Sequence, residues 1–271
     1  MIRRDVTLDD GRPGWALVSQ VEHARIAMEM ARAWSGVVAP LPEAREEFIA
    51  AVYHHDDGWI AWELRPTVHD GKPRDFLEMP LDEALAIWRR SIAVAHNDGP
   101  LAGYAVSRHF ATLCGHSHDE KPHDAAWRHL AEEFLEEQAE LEQDWKRDVA
   151  ARYGSTEAAA RQSLLAWQGL RFFDLASLWL CCAERREAEQ VGHDDYVQLT
   201  WSPRVDGSST NGEGADVIRV GPWPFQGDEL ALAVRCRTIP AGEYTSDQAL
   251  ADVLHSDVCR PGELAWKLLP S

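Results

Sequence analysis

A carboxylate in the middle of an apolar helix face restricts the folding of this chain more than any other feature. The stretch from Ala158 to about Cys182 has helical periodicity, and Asp174 falls on the stripe formed by Trp167, Leu170, Leu178 and Cys181. An ionised carboxylate there costs several kcal/mol in effective desolvation unless a cation or a set of hydrogen bonds offsets it. The fold must therefore bring Asp174 a partner.

Metal-competent side chains recur on the inward faces of the other helices. In the helix that follows Ser19, His23 shares a face with Ile26, Ala27, Met30 and Trp34. In the helix beginning near Pro42, His55 lies with Phe48, Ala51 and Val52, and Asp56 follows it directly before the stop signal Asp57-Gly58. From about Leu81 a further stripe joins Leu85, Trp88, Ile92 and His96, and the next helix joins Ala102, Ala105, Val106, His109 and Leu113. Lys and Arg are scarce on these faces. Neutral imidazole with carboxylate is the donor set favoured by Zn, Fe, Mn and Ni, so a metal ion is the economical partner for Asp174. The competing reading makes each histidine a core residue bonded to a carbonyl. His54, His69, His116, His118, His123, His129, His193 and His255 lack a clear apolar face or lie in polar stretches and are read as surface residues, with His116-Ser117-His118 able to chelate adventitiously. His54 and His55 are adjacent, so the sequence leaves both rings open as the inward one, and helix phase favours His55.

Length and charge narrow the class. The chain of 271 residues, 45% apolar and 27% charged, suits one large domain or a main domain with a satellite. A formal net charge of -18 opposes any general attraction to nucleic acid or to an acidic membrane surface. No apolar run approaches the roughly 20 residues that span a bilayer, and a cytoplasmic location is expected. Five cysteines without a CxxC pair suit a reduced compartment better than a disulfide framework or a zinc ribbon.

Helical periodicity from about Ser19 to Ala183 gives way to shorter strand-like runs. Candidate strands are Tyr196 to Trp201, Asp216 to Val220, Glu229 to Arg237 and Glu263 to Leu269, with a short helix at Ser246 to Leu254 and a turn-rich loop from Arg204 to Asp216. The Glu-rich stretch from Ala131 to Asp148 reads as a solvated amphipathic helix. The expected fold is mainly α: a helical metal-binding domain over residues 1–190, with a β-rich extension over 191–271 packed on it.

The order of the inward residues, a helical His, then His-Asp at a helix end, then a distant Asp, resembles the HD-domain superfamily. Matching by motif, the resemblance implies a first metal site formed by His23, His55, Asp56 and Asp174. His96 and His109 fall where binuclear members carry two further ligands, which would make Asp56 a bridging carboxylate. The stretches His55-Asp56-Asp57-Gly58-Trp59, Ser107-Arg108-His109 and Phe173-Asp174-Leu175-Ala176-Ser177-Leu178 look most like a bacterial HD-like family of unassigned function. That resemblance spans most of the chain. It implies an HD-like helical bundle and a metal-dependent hydrolase with one or two divalent ions (Fe, Mn, Ni or Zn), acting on a small-molecule substrate, a phosphoester in most such enzymes. Asp57 would orient or deprotonate the attacking water, and Arg25 or Arg108 would meet a substrate phosphate. Asp57-Gly58 also reads as a helix C-cap with Gly58 left-handed, both arginines as surface ion pairs, and Trp59 and Trp62 as pocket walls or core. The same ligands would serve a di-iron oxygenase, or a noncatalytic metabolite-binding protein with a structural metal. Neither a Gly-Tyr-Pro signature nor a dense cluster of basic residues is present, so no nucleotide is implied.

Overall fold

Helix α1, Gln20–Ala33, starts at Ser19 because the serine hydroxyl accepts from the Glu22 N–H at 3.2 Å, and Glu22 places a negative charge in the first turn. The computed structural model describes residues 1–36, 42–120, 125–193, 195–203 and 215–271. Six further principal elements complete the helical layer: α2 (Pro42–His54), the single turn α3 (Ile60–Glu63), α4 (Leu81–His96), α5 (Pro100–Glu120), α6 (Ala125–Tyr153) and α7 (Thr156–Cys182). Ser155 caps α7 by accepting from the Ala158 N–H. The short helix α8 (Asp247–Leu254) lies near the C-terminus. Among the described residues, no helix is long and apolar enough to cross a membrane.

The strands are β1 (Ile2–Thr7), β2 (Pro13–Val18), the short pair β3 (Val68–His69) and β4 (Lys72–Pro73), β5 (Glu189–Gly192), β6 (Gln198–Pro203), β7 (Asp216–Gly221), β8 (Leu230–Pro240) and β9 (Arg260–Pro270). Seven of them form one curled sheet in the order β1-β2-β8-β9-β7-β6-β5, antiparallel throughout except for the parallel pair β7 and β9. Most of the turn-rich loop read between Arg204 and Asp216, positions 204–214, lies outside the described residues, as does His123.

This sheet corrects the mainly α, all-helical expectation. The chain is 54% helix and 23% strand, an α/β fold rather than a helical bundle carrying a small lobe. The sheet includes residues near the N-terminus as well as those after residue 190. The strand β1 escapes pattern reading because its inward positions include an arginine. Arg4 is buried, donates from Nη1 to the Leu180 carbonyl at 2.9 Å and stacks over Trp266, so a charged residue occupies a core position. The strand β2 opens on Pro13-Gly14, which reads as a turn.

Helices and sheet share one continuous core. In β8, Leu232, Val234 and Cys236 are buried while Arg235 and Arg237 are exposed, and α1 packs against this strand. Each such apolar side chain contributes roughly 1.5–3 kcal/mol on full burial. Arg25 fastens α1 to the strand by donating to the Ala233 carbonyl while it pairs with Glu22 and Glu29. The helix α7 packs on α1, α2, α5 and α6 and also meets β1 and β5, so it sits between the two layers.

A 3-10 turn at Asp57–Trp59 follows α2 and lies on α4. Gly58 is not left-handed there, as a C-cap reading requires. Its need for glycine is steric: a Cβ would lie 2.1 Å from the Ile87 carbonyl oxygen and 2.7 Å from Ser91 Oγ. The Gly58 N–H donates to that same serine oxygen at 3.0 Å. Gly58→Ala should therefore lower stability by about 2–4 kcal/mol, as overpacking against a fixed backbone does, measured by urea unfolding. An unchanged unfolding midpoint would contradict this packing.

Candidate metal centre

His23, His55, Asp56 and Asp174 meet where α1, the end of α2 and α7 converge. His23 Nε2 lies 2.8 Å from Asp56 Oδ2, and His55 Nε2 lies 3.3 Å from Asp174 Oδ1 and 3.6 Å from Asp56 Oδ2. The two rings stand edge to face with centroids 5.2 Å apart. His23, His55 and Asp56 are buried, and Asp174 is largely so.

Hydrogen bonds behind the rings determine which nitrogens face inward. The His55 Nδ1–H donates to the Val52 carbonyl at 2.8 Å. Ser177 donates its hydroxyl hydrogen to the Asp174 carbonyl at 2.8 Å, so its oxygen accepts from the His23 Nδ1–H at 2.9 Å. Both neutral rings would then point the Nε2 lone pair at carboxylate oxygens, which repel it. The contacts are attractive only with a proton or a metal cation between them. This backing of ligand imidazoles by a carbonyl or hydroxyl is the usual support of a metal site. Donors about 2.1 Å from a common ion lie roughly 3.0–3.4 Å apart along the edges of a tetrahedral or octahedral set. The 2.8, 3.3 and 3.6 Å separations bracket that range, and the candidate donors of His23, His55 and Asp174 all lie within 4.8 Å of one another. His23, His55 and Asp174 form a group that could hold a metal ion, and Asp56 Oδ2 lies beside both rings.

Electrostatics of the metal-free cluster point the same way. Burial pulls the His55 pKa down, but the charge of Asp56 and the hydrogen bond and charge of Asp174 outweigh it and raise the value to about 9. Burial would raise the pKa of Asp174, yet the His55 hydrogen bond and the surrounding imidazoles hold it well below the usual carboxylate range. Asp56 is lowered likewise, the His55 charge and the His23 bond overcoming its burial. His109, whose Nε2 lies 3.7 Å from the other oxygen of Asp174, is pushed down to about 4, chiefly by burial. Its Nδ1 is buried without a hydrogen-bond partner.

The remaining sequence-derived candidates lie elsewhere. His96 is exposed at the end of α4, where its Nδ1 accepts from the Trp145 indole N–H at 3.1 Å. The stripe from Leu85 to Ile92 turns past the core in its final turn, which leaves this ring outside the cluster. Arg108 is also exposed, paired with Glu142 at 3.1 Å and stacked over Trp167, one position round the helix from the inward His109. Asp57 is held by His54 Nδ1 at 2.6 Å, away from the cluster, which makes it a support for His54. Arg25 is occupied with α1 and β8, as described.

The cluster forms the floor of a cavity of about 690 Å³, into which His23, Asp56, His109 and Asp174 project. Trp59, Phe76, Leu81, Trp88, Phe110 and Leu178 are among its walls. Trp62 lies outside that lining, edge to face with Trp59. Sequence reasoning missed two polar participants. Ser177 orients His23, and Gln20, three residues before His23 on the same helix face, lines the cavity. Both stand next to recognised positions, and their helix phase was the available signal.

Fold and cluster together define an α/β protein with a buried histidine and aspartate centre beneath an apolar cavity. The chain belongs to the family described as "Protein of unknown function (DUF3891)", whose model matches residues 1–241 and so covers the whole centre. No curated protein and no solved structure matches the chain.

The raised His55 value sets a pH dependence. In chelator-treated protein His55 binds its proton more tightly folded than unfolded. The resulting stability is complete below the ordinary value of 6.5 and is lost as pH rises through about 9. Denaturant unfolding should show a loss on the order of 3 kcal/mol between pH 6 and 9.5. His109 has the opposite sign: its stability contribution is present above 6.5 and lost as pH falls through about 4. A flat profile on the alkaline side would refute the cation-demanding geometry of the cluster.

Proposed function

We propose that this protein is a metal-dependent hydrolase built around one divalent ion held by His23, His55, Asp56 and Asp174. The observation that carries this reading is the convergence of two imidazole Nε2 atoms, each fixed from behind, on two buried carboxylates at the floor of a cavity. The order of these residues along the chain, with its resemblance to HD-domain enzymes, supports the same assignment.

A divalent ion supplies Lewis acidity, which turns water into a nucleophile at neutral pH. The chain's own groups do the rest. Val52 and Ser177 hold the rings in the tautomer that leaves Nε2 free to bind. Asp174 faces both ways, with Oδ1 toward His55 and Oδ2 toward His109, so the outer oxygen and the His109 ring can orient a water molecule or hold its proton. The aromatic walls lower the polarity around the floor, which strengthens the electrostatic contacts there.

A single ion is favoured because the described residues place only His109 on the far side of Asp174, with His96 exposed and bonded to Trp145. The same placement leaves a di-iron oxygenase without a second ligand set. A closed structural metal is disfavoured because the cavity reaches the cluster.

Elemental analysis of untagged protein purified without chelator should find about one equivalent of Mn, Fe, Ni or Zn per chain. Asp174→Ala and His55→Ala should each lose most of that metal and melt at lower temperature, because metal binding couples to folding. His96→Ala and Arg108→Ala should keep it. Full metal content in both cluster variants would remove the proposal.

A further inference from the structure

The cavity also carries information about what binds there. Among the described residues, its lining contains neither lysine nor arginine. Two carboxylates and one divalent ion sum to zero charge on the floor, and the chain as a whole carries a net charge of -18. A phosphoester dianion entering this space would meet no Lys or Arg among the described lining residues, whereas phosphate sites ordinarily supply such donors. The walls instead offer aromatic and aliphatic surface, continued at the mouth by Leu77 and Leu113, which are 80% and 38% exposed. Such a site gains affinity by removing apolar ligand surface from water, with a few polar groups fixing orientation.

One polar residue of the lining has no assigned task in the metal cluster. Gln20 is 2% exposed, its backbone N–H donates to Glu63 Oε1 at 2.8 Å, and its side-chain Oε1 is buried without a hydrogen-bond partner. A buried amide oxygen left unpaired costs about 1–3 kcal/mol, a cost that a ligand amide can remove by pairing with it. Gln20 stands one helical turn before His23, so a group it holds lies beside the cluster.

We infer that the cavity takes an uncharged amide with an alkyl or aryl body, its acyl group beside the cluster and its N–H donating to Gln20 Oε1. This rests on the hydrolase reading above and names the substrate class for it. In the reaction, water adds to the acyl carbon and the C–N bond breaks. The leaving nitrogen takes a proton from that water, giving a carboxylic acid and an amine or ammonia with no oxidant or reductant.

The test is a titration of metal-loaded protein with octanamide, hexanamide and octyl phosphate. It is read by the fluorescence of Trp59, Trp88 and Trp127, all of which line the cavity. Octanamide should saturate the signal and bind roughly tenfold tighter than hexanamide, as two buried methylenes require, and at least about tenfold tighter than octyl phosphate. Gln20→Leu should weaken octanamide about tenfold. Because Gln20 is buried, Leu77→Asp at the exposed rim serves as the second variant; it should weaken octanamide several-fold with an unchanged melting temperature. Octyl phosphate binding as tightly as octanamide, or an affinity independent of chain length, would overturn the assignment. Metal content measured on the same samples separates the two readings. Octanamide bound with these preferences by protein that takes up no metal would keep the substrate class and remove the hydrolase. Metal-loaded protein that ignores octanamide would remove the substrate class alone.

Discussion

Asp56 and Asp174 bring two negative charges into a region where each ion loses several kcal/mol of hydration. The imidazoles of His23 and His55 offset that loss only when positive charge lies between their Nε2 atoms and the carboxylate oxygens, 2.8 to 3.6 Å away. The outward nitrogens are already donating to Val52 and Ser177, so the rings cannot turn to relieve the conflict. The high value of His55 and the low values of both aspartates express one demand, which a proton meets partly and a divalent ion meets more fully.

The architecture follows from delivering those groups to one point. The helix α1 supplies His23, the end of α2 supplies His55 and Asp56, and α7 supplies Asp174 while binding the helices to the sheet. Gly58 lets the turn after Asp56 lie on the α4 backbone closely enough for its N–H to reach Ser91. Above the floor, Trp59 and α4 close an apolar cavity, so polar chemistry is confined to one wall of an otherwise hydrophobic space.

Much of this centre was legible in the sequence because burial of a titratable group on a helix leaves a periodic trace. Asp174 among Leu170, Leu178 and Cys181, and His23 among Ile26, Ala27 and Met30, mark their own inward faces. The same logic does not place His96, whose exposed ring accepts from Trp145, nor Arg108 and Asp57, which pair with Glu142 and His54 outside the cluster. The strands after residue 190 were readable from alternation, with β7 and β9 within a few residues of their observed bounds. The strands β1 and β2 were not, because Arg4 satisfies its charge only through tertiary contacts with Leu180 and Trp266, and because Pro13-Gly14 reads locally as a turn. The helices and the strands β6 to β9 were therefore visible, whereas β1, β2 and β5, which extend them into a seven-stranded sheet, were not.

The most direct test of the account is anomalous diffraction from crystals grown with Mn or Zn, collected above and below the metal absorption edge. The account predicts one strong peak roughly 2.0–2.3 Å from Nε2 of His23 and His55 and from oxygens of Asp56 and Asp174. A peak confined to His96 or other surface histidines, with the buried cluster left to protons alone, would contradict it.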